Sequence, residues 1–350
     1  MNTRRHLFIA ALLVVAAARL APPARSTIPE SLTDEQFWTL SSDLSEPGGT
    51  FRSENLLSNE RLIQHVIPDL MRQVAPGRVY LGVGPEQNFT YIAALKPSIA
   101  FIVDIRRGNL QLHLMYKALF ELSADRPEFV SRLFSRSRPA SLSSTAPVTE
   151  IFNAIVPVEP DAKVFFENLQ AIRRLLTRVR YLPLTPEDLQ GIETIYQTFY
   201  SYGPSIHYRA SFGVGAHFPT YVELMTGTDA DRMTRSFLAS HEAFSFVKEL
   251  HAKNLLIPVV GDFAGPRALR AIGRYLKERE AIVGAFYLSN VEQYLGREGR
   301  WGLFCGNVSS LPLDDASQFI RSVRDGTYGR GLGLSSETGK MLVETRTCPS

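Results

Sequence analysis

A glycine-rich turn, followed at a fixed distance by an acid, is the strongest chemical signal in this chain of 350 residues. Gly82 and Gly84 are separated by one residue, Glu86 follows, and Asp104 comes about 20 residues later. Glycine lets a bound molecule approach the backbone closely, and an acid at this distance can accept hydrogen bonds from ribose hydroxyls. The pattern predicts a site for a ligand that contains a nucleoside. The alternative is a tight turn followed by a solvated aspartate.

The residue type at position 86 bears on which nucleoside would fit. Dinucleotides place a pyrophosphate at the N-terminus of the following helix, where backbone amides favour anions. That position holds Glu86, whose carboxylate we expect to repel a phosphate, and no Gly-Lys-Ser/Thr follows as in a P-loop. A cationic nucleoside without phosphate suits such a turn better, and S-adenosylmethionine is the cofactor that we predict.

The elements around the turn can hold these residues in place. Residues 78–81 read as a buried strand, 86–95 as a helix, and 99–104 as a second buried strand that ends at Asp104. This strand, turn, helix and strand form a unit of about 30 residues, for which a right-handed parallel crossover is strongly favoured.

The same alternation returns towards the C-terminus. Apolar runs predict further strands at 255–260, 282–288 and 302–308, with helices at 267–277 and about 314–323. Between the second and third strands, helical apolar spacing recurs at 108–122, 126–135, 160–178, 186–200 and 233–252. We therefore predict an α/β fold: a Rossmann-like, mostly parallel sheet flanked by helices, with a large helical insertion at about 107–250.

The N-terminus predicts export. Arg4 and Arg5 precede an apolar run at 7–18 that is too short to span a bilayer comfortably, and alanines at 16–18 offer a cleavage site. We predict a signal peptide over residues 1–24, with some likeness to the twin-arginine type, and a periplasmic location. An uncleaved anchor is the alternative.

The remaining boundaries follow from composition. We predict a linker at 25–50 that carries one short helix, a Rossmann-like domain at 51–330, and an irregular C-terminal tail at 331–350. Residues 58–74 show the apolar spacing of a further helix.

Composition and charge exclude some classes of protein. The chain is 45% hydrophobic and 21% charged, which excludes a disordered protein. Its net charge of +3 owes much to arginines near the N-terminus, so we predict a small-molecule ligand and no nucleic-acid partner. We predict no stable membrane span after signal cleavage, and the oligomeric state stays open. Cys305 and Cys348 can pair in an oxidising compartment or remain free thiols.

Two segments support a resemblance to a known family. Residues 79–88, together with 101–104, resemble motif I and the following acidic motif of class I S-adenosylmethionine-dependent methyltransferases. More closely, the chain resembles an uncharacterised bacterial family of methyltransferase-like proteins, through residues 91–104, 262–266 and 286–292. The likeness covers about 30–330. It implies a fold and a cofactor pocket, but no substrate, and Glu86 departs from it by replacing a third glycine.

The resemblance assigns roles residue by residue. Gly82 and Gly84 would face the methionine part of the cofactor, and Asp104 would hold its ribose. Asp262 and the Ser289-Asn290 pair end later strands, and each can equally be a turn or cap residue. The predicted cofactor-binding residues are Gly82, Gly84, Glu86, Gln87, Asn88, Asp104, Ile105, Asp262, Ser289 and Asn290.

No catalytic residue and no metal site follow from these patterns. Methyl transfer mainly requires that the nucleophile be aligned. His241-Glu242 lacks the second histidine of HExxH, so it reads as a surface pair on a helix. Histidines and other polar residues of the least regular stretch can line a substrate pocket or be ordinary loop residues: His207, Tyr208, Arg209 and His217.

Three functions stay open at this stage. The first is a methyltransferase that acts on an unknown small-molecule or envelope acceptor. The second is an exported, non-catalytic ligand-binding protein, and the third is a structural envelope protein. The location of S-adenosylmethionine in the cytoplasm weighs against an exported enzyme.

Overall fold

The computed structural model describes residues 26–208, 218–324, 334–346 and 348. Six strands of the described chain form one sheet: β1 Val79–Gly82, β2 Ile99–Asp104, β3 Leu256–Val260, β4 Val283–Ser289, β5 Gln318–Arg324 and β6 Leu334–Lys340. Their order is β3-β2-β1-β4-β5-β6. Neighbours from β3 to β5 pair in parallel, and β6 pairs with β5 in antiparallel fashion. The predicted α/β class and mostly parallel sheet are confirmed.

The apolar sequences of the central strands explain their position. Every residue of β1, β2 and β3 is buried, and so are all but the last of β4. Parallel strands read as continuous apolar runs when helices cover both faces of the sheet. The carboxyl ends of four such strands therefore meet at one edge, on a rigid support.

Helices flank this sheet. Before β3 come α1 Asp34–Leu44, α2 Ile67–Gln73, α3 Gln87–Leu95, α4 Arg107–Leu122, α5 Arg126–Leu133, α6 Val148–Ile155, α7 Ala162–Arg174, α8 Pro186–Tyr202, α9 Tyr221–Thr226 and α10 His241–Ala252. A π-helical turn, Leu175–Val179, extends α7, and a 3₁₀ turn, Gly203–Ser205, follows α8. After β3 come α11 Ala268–Lys277, α12 Val291–Arg297, α13 Trp301–Ser309 and α14 Met341–Thr345.

Helix α4 joins the helices between β2 and β3 to the sheet. It contacts β2 and β3 on one side and α8 and α10 on the other. Leu112, Met115 and Leu119 recur at helical spacing and are fully buried. Helix α4 also begins three residues after Asp104, so it fixes the backbone beside the predicted ribose acceptor.

The C-terminal assignments need correction. Residues 302–308 were expected to be a strand but lie in α13, and the helix expected at about 314–323 is largely β5. A short apolar run does not distinguish a strand from a buried helix. In α13, Phe304 and Val308 are buried at helical spacing, while Asn307 donates to the carbonyl oxygens of Phe263 and Gly265 at 2.8 and 2.7 Å.

Residues around Asp314 explain why no helix begins there. The Asp314 carboxylate accepts a hydrogen bond from the Ala316 amide at 3.0 Å and two from Arg78 at 2.6 Å each. These bonds hold a turn that directs the chain into the sheet. Where an irregular tail was expected, β6 pairs along β5 and α14 follows.

The N-terminal segments also differ in part from expectation. The short helix expected within 25–50 is confirmed as α1, and the Thr33 side chain caps it by accepting from the Gln36 amide. Phe37 of this helix is fully buried and Ser41 donates to the carbonyl oxygen of Pro258 at 2.5 Å, so this part of the expected linker packs into the same core. The helix expected from 58 begins only at α2, because Pro68 cannot continue a helix that starts earlier.

The two cysteines form a disulfide. Cys305 of α13 is joined to Cys348, with the Cα atoms 5.3 Å apart. The bond ties the end of the described chain to the body of the domain. The predicted signal peptide lies outside the described residues, and within those residues no helix is long and apolar enough to cross a membrane.

Candidate functional site

One cavity of about 180 Å³ lies at the carboxyl ends of β1 to β4. Seven of the ten predicted site residues line it: Gly84, Gln87, Asp104, Ile105, Asp262, Ser289 and Asn290. Gly82, Glu86 and Asn88 are not among its lining residues and are buried behind it. The topology thus brings together residues that the sequence places more than 200 positions apart.

The glycine turn presents backbone to this cavity. Gly84 has φ +78°, a conformation that residues with a side chain rarely adopt. A Cβ atom at Gly82 would lie 1.9 Å from Oδ1 of Asn88, so the closest packing is against the protein's own side chain. Gly82 and Gly84 therefore have different roles, and Gly84 is the one positioned to meet a ligand.

Asn88 holds the turn. Its amide group donates to the carbonyl oxygens of Val83 at 2.9 Å and Pro85 at 2.7 Å, and its Oδ1 accepts from the Tyr80 hydroxyl at 2.9 Å. Every polar atom of Asn88 is thereby engaged within the protein. Its contribution to a ligand site is the shape of the turn.

His113 of α4 supports the turn from behind. Its Nε2 lies 2.9 Å from the carbonyl oxygen of Gly84, and burial lowers the pKa of the imidazole to about 4. The ring is therefore neutral at pH 7, with the Nε2 proton donated to Gly84.

Glu86 corrects the expectation about phosphate. The residue is fully buried, its Oε1 accepts from the Ser58 amide at 3.3 Å, and burial raises the pKa of its carboxyl to about 8. The carboxyl is mostly protonated at pH 7 and does not line the cavity. The expected repulsion of a phosphate by Glu86 is therefore wrong, and charge at this position does not select between nucleosides.

Asp104 reaches the cavity but is already paired. Arg106 donates Nε to Oδ1 at 3.0 Å and Nη2 to Oδ2 at 2.7 Å, and its amide donates to Oδ1 at 2.9 Å. The Arg106 guanidinium also donates to the carbonyl oxygen of Glu54. Both side chains are nearly buried, so this ion pair closes the end of β2 and links it to the chain before α2.

Asp262 is held in a similar way at the end of β3. Its Oδ2 lies 2.7 Å from a guanidinium nitrogen of Arg300, and its Oδ1 accepts from the Ala264 amide at 2.9 Å. This second bond supports the turn role that the sequence left open. The pair is more open to solvent than the one at Asp104, since its side chains are 20% and 35% exposed.

An acid from the segment before α2, missed by sequence reasoning, contacts the end of β4. Glu60 lines the cavity and is fully buried; its Oε1 accepts from the Tyr287 hydroxyl at 2.5 Å and the Ser289 hydroxyl at 2.6 Å. Gln87 donates to the Tyr287 oxygen at 3.2 Å. Within the described structure, Oε2 of Glu60 has no hydrogen-bond partner. Burial raises the pKa of this carboxyl.

Aromatic rings and an exposed acid complete the rim. Phe51 and Tyr294 meet edge to face, with ring centroids 5.3 Å apart, and both line the cavity with Tyr208 and Glu298. Asn290 lines it just before α12 begins. The rim therefore offers apolar faces beside polar groups.

The remaining predicted residues do not enlarge the site. His207 makes a bridge to Thr220, whereas the predictions at Arg209 and His217 lie outside the described residues. His241 and Glu242 begin α10 on the surface, where Glu242 pairs with Lys96. In the described part of the chain, no group of three or more His, Cys, Asp or Glu side chains is arranged to hold a metal ion.

Four charged residues of the site were missed: Glu60, Arg106, Glu298 and Arg300. Only Arg106 has a sequence signal, because an arginine two positions after a strand-end acid can fold back onto it. Glu60 and Arg300 meet their partners across more than 35 positions of chain, and no local pattern announces such contacts.

Comparison with known proteins gives a family but no activity. A search of curated proteins finds no match. A family model described as a domain of unknown function, DUF7790, matches residues 56–339, which include β1 to β5, all but the last residue of β6, and all ten predicted site residues. Because the match covers most of the chain, the protein belongs to this family.

Proposed function

We propose that the cavity binds S-adenosylmethionine and that the protein is a methyltransferase-like member of the Rossmann-like group. The observation that carries the proposal is that Gly84 and Asp104 line one cavity where the strand order reverses, between β1 and β4. Ligands of open α/β sheets bind outside the carboxyl ends of the strands at such a switch point.

The lining residues fit the parts of this cofactor unequally. The backbone of Gly84 leaves room for close approach, and Ile105 and Phe263 offer apolar surface to a base. Oδ1 of Asp104 already accepts two hydrogen bonds and Oδ2 accepts one from Arg106, so ribose hydroxyls would compete with the guanidinium for this carboxylate. We expect the ion pair to open when the ligand enters.

The chain's own contribution to methyl transfer is alignment. When bound, S-adenosylmethionine supplies a methyl group already activated by its sulfonium. The protein would hold the nucleoside at Gly84 and Asp104 and would present the acceptor from the side of Ser289 and Asn290. Such positioning can supply much of the rate enhancement without a dedicated catalytic residue.

The disulfide supports the proposed location. Cytoplasmic thiols are kept reduced, whereas disulfides persist in the periplasm. The bond between Cys305 and Cys348 therefore agrees with export, which the N-terminal pattern predicts.

Calorimetric titration of S-adenosylmethionine and S-adenosylhomocysteine tests the proposal. Asp104→Asn should weaken binding about 10- to 100-fold, because it removes a charged hydrogen-bond acceptor. Arg106→Gln should tighten binding, because it removes the competitor for the same oxygens. Glu298→Gln, on the exposed rim, should stay within about twofold of the unchanged protein. Absence of binding to the unchanged protein at millimolar ligand would overturn the proposal.

The same ion pair favours a second candidate, a non-catalytic ligand-binding protein of the cell envelope. If the Asp104–Arg106 pair stays closed, the guanidinium rather than the carboxylate meets the ligand, and an anionic small molecule would be selected. Arg106→Gln separates the two candidates, since it should then abolish ligand binding rather than strengthen it.

A further inference from the structure

One oxygen of the buried Glu60 carboxyl can accept hydrogen bonds that the described structure does not supply. Buried polar atoms in native proteins almost always have a hydrogen-bond partner, so an exception calls for a physical explanation. In the described structure, Oε1 of Glu60 has two hydroxyl donors and Oε2 has none, although the residue borders the cavity.

Among the residues that the structure describes, the groups that face Glu60 carry no compensating positive charge. Tyr80 of β1, Tyr91 of α3 and Tyr287 of β4 approach it, as does Glu86 just before α3. The Ser322 hydroxyl of β5 also faces it, outside hydrogen-bond geometry. Hydroxyls and a second acid cannot neutralise a buried carboxylate. Burial raises the pKa of Glu60, and the neighbouring hydroxyls offset this shift only in part.

The other acids of the cavity are in a different state. Asp104 and Asp262 are ion-paired with Arg106 and Arg300, and Glu298 is exposed on the rim. Glu60 is therefore the buried acid of this cavity for which the described structure supplies hydrogen-bond donors but no counter-ion.

We propose that Glu60 is the recognition group of an amine subsite at the carboxyl end of β4, which takes a ligand with a protonated alkylamine. The ionised carboxylate accepts from the ammonium, Tyr287 and Ser289, and any proton that Glu60 carries before binding goes to solvent. Phe51 and Tyr294 offer aromatic faces to the cation and its apolar part. Binding of the amine stands by itself. Its further role, as the class of methyl acceptor, rests on the proposed function.

Benzylamine and benzyl alcohol form a matched pair of probes, because they share a ring and differ in charge. We expect the full chain to bind benzylamine at millimolar concentration and at least about tenfold more tightly than benzyl alcohol. Glu60→Gln keeps acceptors for Tyr287 and Ser289 but cannot ionise, so it should remove that preference. Glu242→Gln, on the surface of α10 away from the cavity lining, should keep it. Equal binding of the two probes, or an unchanged preference in Glu60→Gln, would overturn the proposal.

A pH series on the unchanged protein avoids dependence on any variant. Since Glu60 must lose its proton while benzylamine keeps its own, affinity should rise by up to about tenfold per pH unit until Glu60 is ionised. An affinity that is flat from about pH 4.5, the ordinary pKa of a glutamate, to about pH 7.5 would contradict the proposal. Titration of S-adenosylmethionine is a separate test. If the protein binds benzylamine but not S-adenosylmethionine, the proposed function is wrong and the amine subsite stands.

Discussion

The acids on the two sides of the cavity have different partners. On the side of β2 and β3, Asp104 and Asp262 are ionic partners of Arg106 and Arg300. On the side of β4, Glu60 is held by hydroxyls, with one oxygen free in the described structure. The first side supplies its own counter-ions, whereas on the second side the described structure gives Glu60 no counter-ion.

Because of this difference, ligand binding has a different free-energy cost on each side of the cavity. A ligand that approaches Asp104 must replace charge-assisted hydrogen bonds that the protein already makes. A ligand that approaches Glu60 displaces no ion pair, but it meets an acid whose ionised form is disfavoured by burial. On the first side, a ligand therefore competes with an arginine for the carboxylate. On the second side, the affinity for a ligand depends on pH through the ionisation of Glu60.

The largest expected effect is on the ion-paired side. Asp104→Ala leaves Arg106 nearly buried without its partner and should lower the free energy of unfolding by about 3–5 kcal/mol. Asp262→Ala is the matched control, and because its pair is more exposed it should cost at most about 2 kcal/mol. Urea unfolding measures both. Equal losses of stability would contradict the proposed difference between the nearly buried pair at Asp104 and the more exposed pair at Asp262.

The pH dependence of the free energy of unfolding tests whether the buried Glu86 is protonated near neutral pH. Its folded pKa of about 8 lies above the ordinary 4.5, so its stabilising contribution is complete below about pH 4.5 and is lost as the pH rises through 8. Between about pH 6.5 and about pH 8 the unchanged protein should lose about 1–2 kcal/mol relative to Glu86→Gln. Unfolding by urea at both pH values gives this difference. Parallel pH profiles for the two proteins would show that Glu86 is already ionised.

A smaller effect is expected at the hydroxyls that hold Glu60. Tyr287→Phe removes a donor to Glu60 and the acceptor of the Gln87 amide, and should cost about 1 kcal/mol. It should also raise the pKa of Glu60 further, because the Tyr287 hydrogen bond lowers it. Tyr294→Phe on the half-exposed rim is the control, with an expected change of a few tenths of a kcal/mol. A loss at Tyr294 as large as that at Tyr287 would contradict this account.

The smallest effect is expected at the exposed rim. Glu298 lies 3.8 Å from a guanidinium nitrogen of Arg300, and its side chain is 57% exposed. Glu298→Gln should therefore change the free energy of unfolding by less than about 0.5 kcal/mol. A larger loss would mean that the rim contributes to closing the cavity.

Local sequence signals predicted part of this site. The turn at Gly84 and the acid at Asp104 belong to one strand–helix–strand unit, whose elements are close in sequence and apolar throughout, so their meeting could be expected. The state of Asp104 could not, because its pairing depends on the conformation that Arg106 adopts. The expected repulsion of a phosphate by Glu86 was also wrong, because the burial of Glu86 depends on how distant segments pack in the folded core.

The unpredicted part rests on contacts between distant segments. Glu60 meets Tyr287 across 227 positions, and nothing in the Ser58-Asn59-Glu60 sequence distinguishes a site acid from the start of a helix. The exchange of helix and strand at α13 and β5 has a related cause. Short apolar runs fit either state, and pairing with β4 and β6 decides in favour of a strand at β5.

A crystal structure with S-adenosylhomocysteine would test the central claim most directly, namely that a nucleoside binds where Gly84 and Asp104 meet. The account predicts ribose hydroxyls within hydrogen-bond distance of the Asp104 carboxylate, with the Arg106 guanidinium turned away from it. A ligand bound elsewhere, or an Asp104–Arg106 pair that stays closed with no nucleoside beside it, would contradict the account.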